Sequence, residues 1–352
     1  MEQQMLGGLM KKFYRIKRRI WLQASAILLT TITWHHTALS ATDTLVVGAE
    51  TSLLASTVWI ADAKGFFKDE GISVSVEKFG AGRNALEAML GRSTVGRSSV
   101  DLATVATTPI VFNSFENEPF QIIAEIAYSD DPNKVLVKKS AGINRIEDLK
   151  GKKIGVQKRA SGHYYLEAYF LPRYGFSGSD MEILDIHAKD FVEKFKDKTI
   201  DAVVSWEPHI SKVTKALGAD DVLIFKDTVP HRKDFYMIVN NSYLKENPAT
   251  VGKFLRALVR ASDFIKSNEE ESKRLLATAL NMDLELVNTI WSEYHFGVVF
   301  GENTVDRLKE EADWVIKSKF VKVDKIPDYW RIIDRRPLRD VAPGAILLKK
   351  PK

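Results

Sequence analysis

The stretch from Asp148 to Phe170 constrains the fold more strongly than any other part of the sequence. Residues 154–156, Ile-Gly-Val, are a short apolar run between glycine and polar residues, which predicts a buried strand. A turn of small residues follows at 159–162, and a helical pattern runs from His163 to Tyr174. Such a turn leaves backbone N–H groups unpaired, and these groups and the helix dipole favour a bound anion. The stretch predicts a βα unit that either binds an anion or is an ordinary turn capped by Ser161.

The same alternation of strand and helix begins near Thr44. Strands are predicted at 45–47, 72–76 and 102–104, with helices after each, and further strands near residues 154, 183 and 203. This order predicts mostly parallel sheets flanked by helices. Two polar stretches, 129–133 and 227–234, look like crossings between two lobes, and beyond Pro248 the chain is predicted to be helical.

Composition excludes several classes of protein. A chain of 352 residues with 45% hydrophobic content is long enough for two domains that each bury a core. The absence of cysteine excludes disulfides, cysteine-ligated metals, a thiol nucleophile and a lipid anchor on an N-terminal cysteine.

Residues 1–41 have the three-part pattern of a secretory signal peptide. A basic region precedes an apolar run at 20–34, and Ala38-Leu39-Ser40 fits a cleavage site before Ala41. The alternative, a permanent membrane anchor, is disfavoured because the run of about 15 residues is shorter than the roughly 20 needed to span a bilayer. Without this segment the formal charge of +5 falls to zero, with 45 basic and 45 acidic residues. Nucleic-acid binding is therefore not expected.

Four motifs resemble one family of proteins in their order and spacing. They are AKGFFKDEGISVSVEKFGAGRNALEAML from residue 63, DLATVATTPIV from 101, DLKGKKIGV from 148 and DAVVSWEPHISK from 201. Together they resemble the solute-binding proteins of ABC transporters, in the branch for sulfonates, taurine, nitrate and the thiamine pyrimidine precursor. The resemblance covers roughly residues 44–258. It departs from the family's pattern at 91–100, GRSTVGRSSV, where relatives have a shorter link.

The resemblance implies a two-lobe α/β fold of the periplasmic binding protein type II. The implied organisation is a signal peptide at 1–41, a first lobe from 42–133 and 231–352, and a second lobe inserted at 134–230. The implied function is capture of a small anionic or zwitterionic solute, most simply an aliphatic sulfonate or taurine, in the periplasm. The protein would deliver the solute to a membrane permease as a monomer. Nitrate, an aromatic acid and the thiamine pyrimidine are alternative ligands.

Candidate ligand-binding residues follow the predicted strands, because ligands of doubly wound sheets bind outside the carboxyl ends of strands. Most are hydroxyl-bearing residues or glycines at helix starts. The set is Ser56, Thr57, Gly80, Thr107, Thr108, Tyr128, Ser161, Gly162, His163, Trp206 and Glu207.

Several of these residues have a second, purely structural interpretation. Thr107 and Thr108 could serve merely as caps at the start of a helix. Trp206 could pack in a hydrophobic core rather than stack on the ligand. Glu207 could face a helix dipole or receive a ligand's ammonium group, as the resemblance to taurine binders suggests. His163 could contact ligand or be solvated. Arg83 could bind an anion through two parallel hydrogen bonds, or it could be exposed to solvent.

The sequence gives little support for catalysis. It has no nucleophile elbow, phosphate-binding loop, HExxH zinc motif or carboxylate pair at a catalytic spacing. Gly80-x-Gly82 lacks the third glycine of a dinucleotide fingerprint. We expect no catalytic residue, metal or cofactor. The rival hypotheses are an enzyme of the same fold and the sensing module of a signalling system.

Overall fold

Two β-sheets form the centres of two lobes in the computed structural model, which describes residues 43–92, 100–116, 119–130, 132–225 and 231–350. The predicted signal peptide and residues 93–99 of the departing segment lie outside the described residues. In chain order the strands are β1 (Asp43–Glu50), β2 (Ile72–Phe79), β3 (Leu102–Ala106), β4 (Phe120–Ser129), β5 (Lys134–Lys138), β6 (Lys153–Val156), β7 (Glu182–Asp185), β8 (Ala202–Ser205), β9 (Val222–Phe225), β10 (Lys233–Asn240) and β11 (Tyr294–Val299).

Thirteen helices in the described ranges surround the two sheets. They are α1 (Ser56–Ala63), α2 (Phe66–Asp69), α3 (Gly82–Met89), α4 (Thr107–Ser114), α5 (161–173), α6 (Phe191–Lys196), α7 (His209–Leu217), α8 (Asn241–Glu246), α9 (Pro248–Ser267), α10 (Glu269–Leu280), α11 (Leu284–Ile290), α12 (Thr304–Lys317) and α13 (Arg336–Val341). The middle of α5, Tyr165–Phe170, is a π-helical segment.

The sheets are mixed in strand direction. The first has the order β11-β4-β10-β3-β1-β2, in which β1 pairs in parallel with β2 and β3 while the other pairings are antiparallel. The second has the order β7-β6-β8-β5-β9, in which β6 is parallel to its two neighbours and β5 is antiparallel to its own. The two-lobe α/β fold is confirmed, but the expectation of mostly parallel sheets is corrected. The strand that follows each crossing, β5 or β10, runs against the strands of the βαβ units.

The first lobe is built from both ends of the described chain. Strands β1–β4 are completed by β10 and β11, whereas the second sheet uses only β5–β9. The exact limits 42–133, 134–230 and 231–352 remain a prediction, because both crossings contain residues outside the described ranges.

The region beyond Pro248 is helical as predicted in α9 to α12, but it also contains β11, which the sequence analysis did not predict. This strand pairs with β4 at the edge of the first sheet. Its residues, YHFGVV, show no clear alternation of buried and exposed positions, so periodicity gives little signal.

Each lobe has its own hydrophobic core. In the first lobe, Phe67 of α2 stacks on Phe254 of α9 with ring centroids 5.2 Å apart. In the second lobe, β5 divides its side chains between two clusters on opposite faces of the sheet. Val135 and Val137 face α5, and Leu136 faces α6 and α7. The alternation follows from the two-residue period of a strand, so helices cover both faces of this sheet.

Candidate ligand site between the lobes

The two lobes meet where strands end and helices begin. Strands β1, β3 and β8 end at Glu50, Ala106 and Ser205, close to the starts of helices α3, α4 and α5. Across this boundary, Ala81 of the first lobe packs against Ala160 and Trp206 of the second. The cleft predicted from the order of strands and helices is therefore the place where the lobes touch.

Lys233, at the start of β10, is the main feature of this boundary that the sequence analysis missed. Its side chain is 4% exposed, and its ammonium nitrogen lies 4.4 Å from the ring centroid of Trp206 in the opposite lobe. Within the described ranges it forms no hydrogen bond or ion pair. Burial lowers the pKa of Lys233, while the charges of Glu50 and Glu311 oppose this effect. The only sequence signal was a lysine directly before a central apolar strand.

The carboxylate of Glu50, at the end of β1, lies at the start of helix α3, which follows β2. Its Oε2 atom accepts a hydrogen bond of 2.6 Å from the backbone N–H of Gly82, the first residue of α3. A side chain at Gly82 would lie 2.8 Å from the carbonyl oxygen of Thr104, so glycine is needed at this contact. The protein's own carboxylate therefore satisfies this N–H group. The other oxygen of Glu50, Oε1, has no hydrogen-bond partner in the described structure.

The predicted hydroxyl-bearing residues of the first lobe are all buried, but their hydroxyls differ in availability. Ser56 donates to the carbonyl oxygen of Leu53 at 2.5 Å, a bond within its own helix start. Thr57 Oγ1 and Thr108 Oγ1 have no hydrogen-bond partner among the described residues. Thr107, also buried, begins α4. Thr57 and Thr108 are therefore the hydroxyls free to bind another group.

In the second lobe, Ser161 and Gly162 begin α5 against β8. The Ser161 hydroxyl lies 3.4 Å from Asn133 Oδ1 at the first crossing. A side chain at Gly162 would lie 3.0 Å from the carbonyl oxygen of Val204. Gly162 therefore has a packing role, since it lets the helix start approach the strand.

Trp206 is buried at the lobe boundary rather than in either core. Its indole ring covers the ammonium group of Lys233, an arrangement favoured by the negative face of the ring. The indole N–H has no acceptor among the residues described. Trp206 thus offers both a stacking surface and a free donor.

Gly80 and His209 join the lobes directly. His209 Nε2 lies 2.8 Å from the carbonyl oxygen of Gly80 and must carry the proton, because a carbonyl only accepts. Burial lowers the pKa of His209 to about 4. The ring is therefore neutral at ordinary pH.

His163 is part of the lobe contact and is not solvated. Its ring is buried, with Nδ1 accepting from the backbone N–H of Arg159 at 3.3 Å and Nε2 lying 3.0 Å from Glu167. The ring also packs edge-on against Trp314 of α12, at a centroid distance of 5.4 Å. Both ring nitrogens of His163 therefore already have hydrogen-bond partners within the protein.

Tyr128 pairs with Asp234 across β4 and β10, but its side chain packs in a stack beside the crossings rather than against Lys233. Its ring lies 4.4 Å from that of His295 on one side and 3.5 Å from the guanidinium carbon of Arg232 on the other. These side chains line a separate cavity of about 520 Å³. The structure therefore does not bring Tyr128 together with the other candidates.

Glu207 has partners within its own lobe. Its Oε2 atom accepts hydrogen bonds from the backbone N–H and the hydroxyl of Ser211, at 3.0 and 2.7 Å. Its Oε1 atom lies 3.8 Å from Lys134 Nζ. The first of the two alternatives for this residue, a role at the start of α7, matches these contacts.

Polar contacts across the boundary hold the lobes together. Gln157 Nε2 donates to Asn84 Oδ1 at 2.6 Å, and Arg83 donates to the carbonyl oxygen of Lys158 at 2.5 Å. Arg83 is also paired with Glu87 on its own helix at 2.8 Å. Arg83 is therefore a contact between lobes in this structure and is not a free anion clamp.

Helix α12 supplies a further wall that the sequence analysis did not include. Glu311 is nearly fully buried, and burial raises its pKa to about 8. Trp314, one turn later, packs against Tyr164 of α5 with ring centroids 5.0 Å apart. In sequence, the amphipathic pattern of α12 explains Glu311 equally well as a solvated position, so no signal identified it.

Two α/β lobes that meet at a buried boundary with polar groups match the fold class of the periplasmic binding proteins. The chain belongs to the NMT1/THI5-like family, whose profile matches residues 55–272. A Bacillus subtilis protein named as an aliphatic sulfonates-binding protein is 27% identical to it over 296 residues, which are 82% of this chain and 85% of that protein.

Solved structures share the fold. The alkanesulfonate-binding protein SsuA from Xanthomonas axonopodis pv. citri, solved with bound MOPS, matches with a TM-score of 0.67 and 17% identity over 83% of this chain and 98% of its own. The periplasmic nitrate-binding protein NrtA from Synechocystis matches with a TM-score of 0.63 and 14% identity over 86% of this chain and 89% of its own. The resemblance stated from the four motifs is confirmed. These relatives are named as binding proteins, and no described helix is long and apolar enough to cross a membrane.

Proposed function

We propose that this protein is the extracytoplasmic solute-binding component of an ABC importer. It captures a small organic anion, an aliphatic sulfonate or taurine, between its lobes and delivers it to a membrane permease. It acts as a monomer in the periplasm after removal of its signal peptide, and it does not transform its ligand.

The observation that carries this proposal is the unpaired ammonium group of Lys233. A cation held in a protein interior costs several kcal/mol unless a counter-charge and hydrogen bonds compensate. In the described structure Lys233 has the faces of Trp206 and Phe235, at 4.4 and 5.8 Å, and two more distant carboxyls. A bound anion would supply the missing counter-charge.

The surrounding groups suit a sulfonate. A sulfonate presents three acceptor oxygens, and the boundary offers the Lys233 ammonium, the Trp206 indole N–H and the hydroxyls of Thr57 and Thr108 as donors without hydrogen-bond partners. Charge-assisted hydrogen bonds contribute about 1.5–3 kcal/mol each. A few such bonds account for micromolar binding, which corresponds to about −8 kcal/mol.

Taurine adds an ammonium group, and Glu50 Oε1 is a buried acceptor without a partner among the described residues. Comparison of ethanesulfonate with taurine therefore separates the two ligand types. Tighter binding of taurine that Glu50→Gln removes assigns Glu50 to the ammonium group. Equal binding of the two ligands leaves the anion alone as the recognised feature.

The proposal is tested by titration calorimetry on residues 42–352 with alkanesulfonates, taurine, nitrate, aromatic carboxylates and the thiamine pyrimidine. Lys233→Met keeps the volume and removes the charge. Loss of a buried charged partner costs about 2–5 kcal/mol, so we expect affinity for sulfonates to fall at least about 30-fold.

Lys212→Met, at an exposed position on α7, is the matched control and should bind like the wild type. Failure of every ligand to bind would contradict the proposed function, and unchanged affinity of Lys233→Met would contradict the assigned site. Recovery of the ligand unchanged after prolonged incubation distinguishes a binding protein from an enzyme of the same fold.

A further inference from the structure

Glu311 lies on the face of α12 that is turned toward the second lobe. Trp314, one turn later on the same helix, packs against His163 and Tyr164 of α5. Both α12 residues lie beyond the segment 55–272 that matches the family profile. The C-terminal part of the chain therefore forms a wall of the cleft.

The Glu311 carboxyl is buried without a cation beside it. Within the described part of the chain it forms no salt bridge, and its Oε2 atom has no hydrogen-bond partner. A weak hydrogen-bonding interaction with Thr108 on α4 lowers the pKa of Glu311, but Thr108 Oγ1 has no partner at ordinary hydrogen-bond geometry among the described residues. The two groups are close, but neither satisfies the other.

Charged and titratable groups face Glu311 from each neighbouring element. They are Lys233 and Asp234 on β10, Glu310 on its own helix, Tyr164 and Tyr169 on α5, and Tyr329 after α12. Only Lys233 among them is cationic, and it lies beyond ion-pair distance in the described structure. The local field therefore favours a proton on Glu311.

Burial is the largest cause of the raised pKa of about 8, and the carboxylates of Asp234 and Glu310 add to it. At neutral pH the side chain is consequently a carboxylic acid with an O–H group to donate. A neutral acid donates to an anion, whereas an ionised carboxylate repels it.

We propose that Glu311 is a ligand-binding residue, which donates its carboxylic O–H to the anion held by Lys233, so that anion binding takes up a proton in alkaline solution. This inference rests on the proposed function and adds a residue and a pH dependence to it. The bound anion lies between an ammonium group that attracts it and a carboxyl that tolerates it only when protonated. When Glu311 is ionised in the free protein, each anion that binds therefore takes up one proton from the solvent.

The test measures affinity for an alkanesulfonate by calorimetry from pH 6 to pH 9.5, in buffers of different ionisation enthalpy. In the wild type we expect proton uptake near zero at pH 6, rising toward one per ligand above about pH 8. The dissociation constant should rise by up to about tenfold per pH unit in that range.

Glu311→Gln keeps the size and an N–H donor but cannot titrate. We expect it to bind like the wild type at pH 6 and to lose both the proton uptake and the pH slope between pH 8 and 9.5. Glu302→Gln, at an exposed glutamate two residues before α12, is the matched control and should keep both.

The possible outcomes are distinct. A slope that persists in Glu311→Gln assigns the titration to Lys233, whose pKa is lowered, and overturns this inference alone. Affinity that improves as the pH rises through 8 means that ionised Glu311 pairs with a ligand's ammonium group, and that result also overturns it. Absence of binding by every anion overturns the proposed function together with it.

Discussion

His209 connects protonation to the contact between lobes. Its ring is neutral because burial lowers its pKa to about 4, and its Nε2–H donates to the Gly80 carbonyl oxygen of the opposite lobe. In the unfolded chain the same histidine has a pKa near 6.5. Between these values the unfolded state binds more protons than the folded state, so stability falls as the pH falls.

We expect the thermal midpoint of the wild type to fall as the pH is lowered from 6.5 to 4, with about 2–4 kcal/mol of stability lost through this residue. His209→Gln keeps a donor and cannot titrate, so its midpoint should fall less. His295→Gln, at an exposed histidine beside Asp130, serves as the control and should behave like the wild type. Equal acid sensitivity of the two variants would show that His209 is not responsible.

The residue scale also shows what the sequence could predict about the site. Thr57, Thr108 and Trp206, which belong to the proposed site, were candidates because hydroxyls and aromatic residues after strands are typical of ligand sites. Lys233 and Glu311 were missed because a charged residue in a half-polar stretch indicates a solvated position unless its burial is known. Burial depends on contacts between lobes that are far apart in sequence, and no local pattern records them.

At the scale of elements, the start of helix α5 is set by how closely it approaches a strand. The start of α5 lies against β8, where a Cβ atom on Gly162 would be 3.0 Å from the Val204 carbonyl oxygen. The Val204 carbonyl is part of the backbone and cannot move aside as a flexible side chain can. A methyl group at position 162 would therefore push the start of α5 away from β8.

Gly162→Ala should therefore destabilise the protein by about 1–3 kcal/mol. Gly252→Ala is the matched variant, since Gly252 lies within helix α9 with only the end of Arg256 at 4.0 Å from the added atom. Alanine is favoured over glycine in a helix by about 1 kcal/mol, so this change should stabilise. Urea unfolding of both variants measures the two free energies, and a stabilising Gly162→Ala would contradict the packing argument.

The elements themselves were largely predictable, and the exceptions have physical causes. Strands and helices of the βαβ units were predicted because their apolar periods are strong and their turns contain glycine. Strand β11 was missed because its residues show no clear alternation of buried and exposed positions. The first two residues of β10, Lys233 and Asp234, were assigned to a polar crossing, although both are buried.

At the scale of the whole molecule, polar side chains of the two lobes contact each other directly. The bond of 2.6 Å between Asn84 and Gln157 is buried and joins α3 to the strand end after β6. A polar group left unpaired in the interior costs about 1–3 kcal/mol. Removal of the Asn84 side chain would leave the Gln157 amide unpaired while the lobes are in contact. It would therefore favour an open form, in which the lobes are apart and water can reach that amide.

Asn84→Ala should shift the ligand-free protein toward an open form and weaken ligand binding by about 5–150-fold, since closing must then overcome the added cost. Small-angle X-ray scattering should give a larger radius of gyration, and calorimetry should give the affinity. Asn113→Ala removes an asparagine whose side-chain bonds stay within the first lobe, to Arg92 and Pro109, and should change neither measurement. Unchanged affinity in Asn84→Ala would show that closure does not depend on this bond.

The placement of α12 against the second lobe has a consequence for evolution. The four motifs by which relatives are recognised all lie before residue 213, whereas Glu311 and Trp314 lie a hundred residues later on a helix that no motif covers. If Glu311 binds ligand as proposed, substitutions on that helix would change which solute is accepted while every motif stays intact. The proposal thus predicts that homologues alike in the motif region differ in the solutes they bind, and that an assignment of solute must consider helix α12 as well.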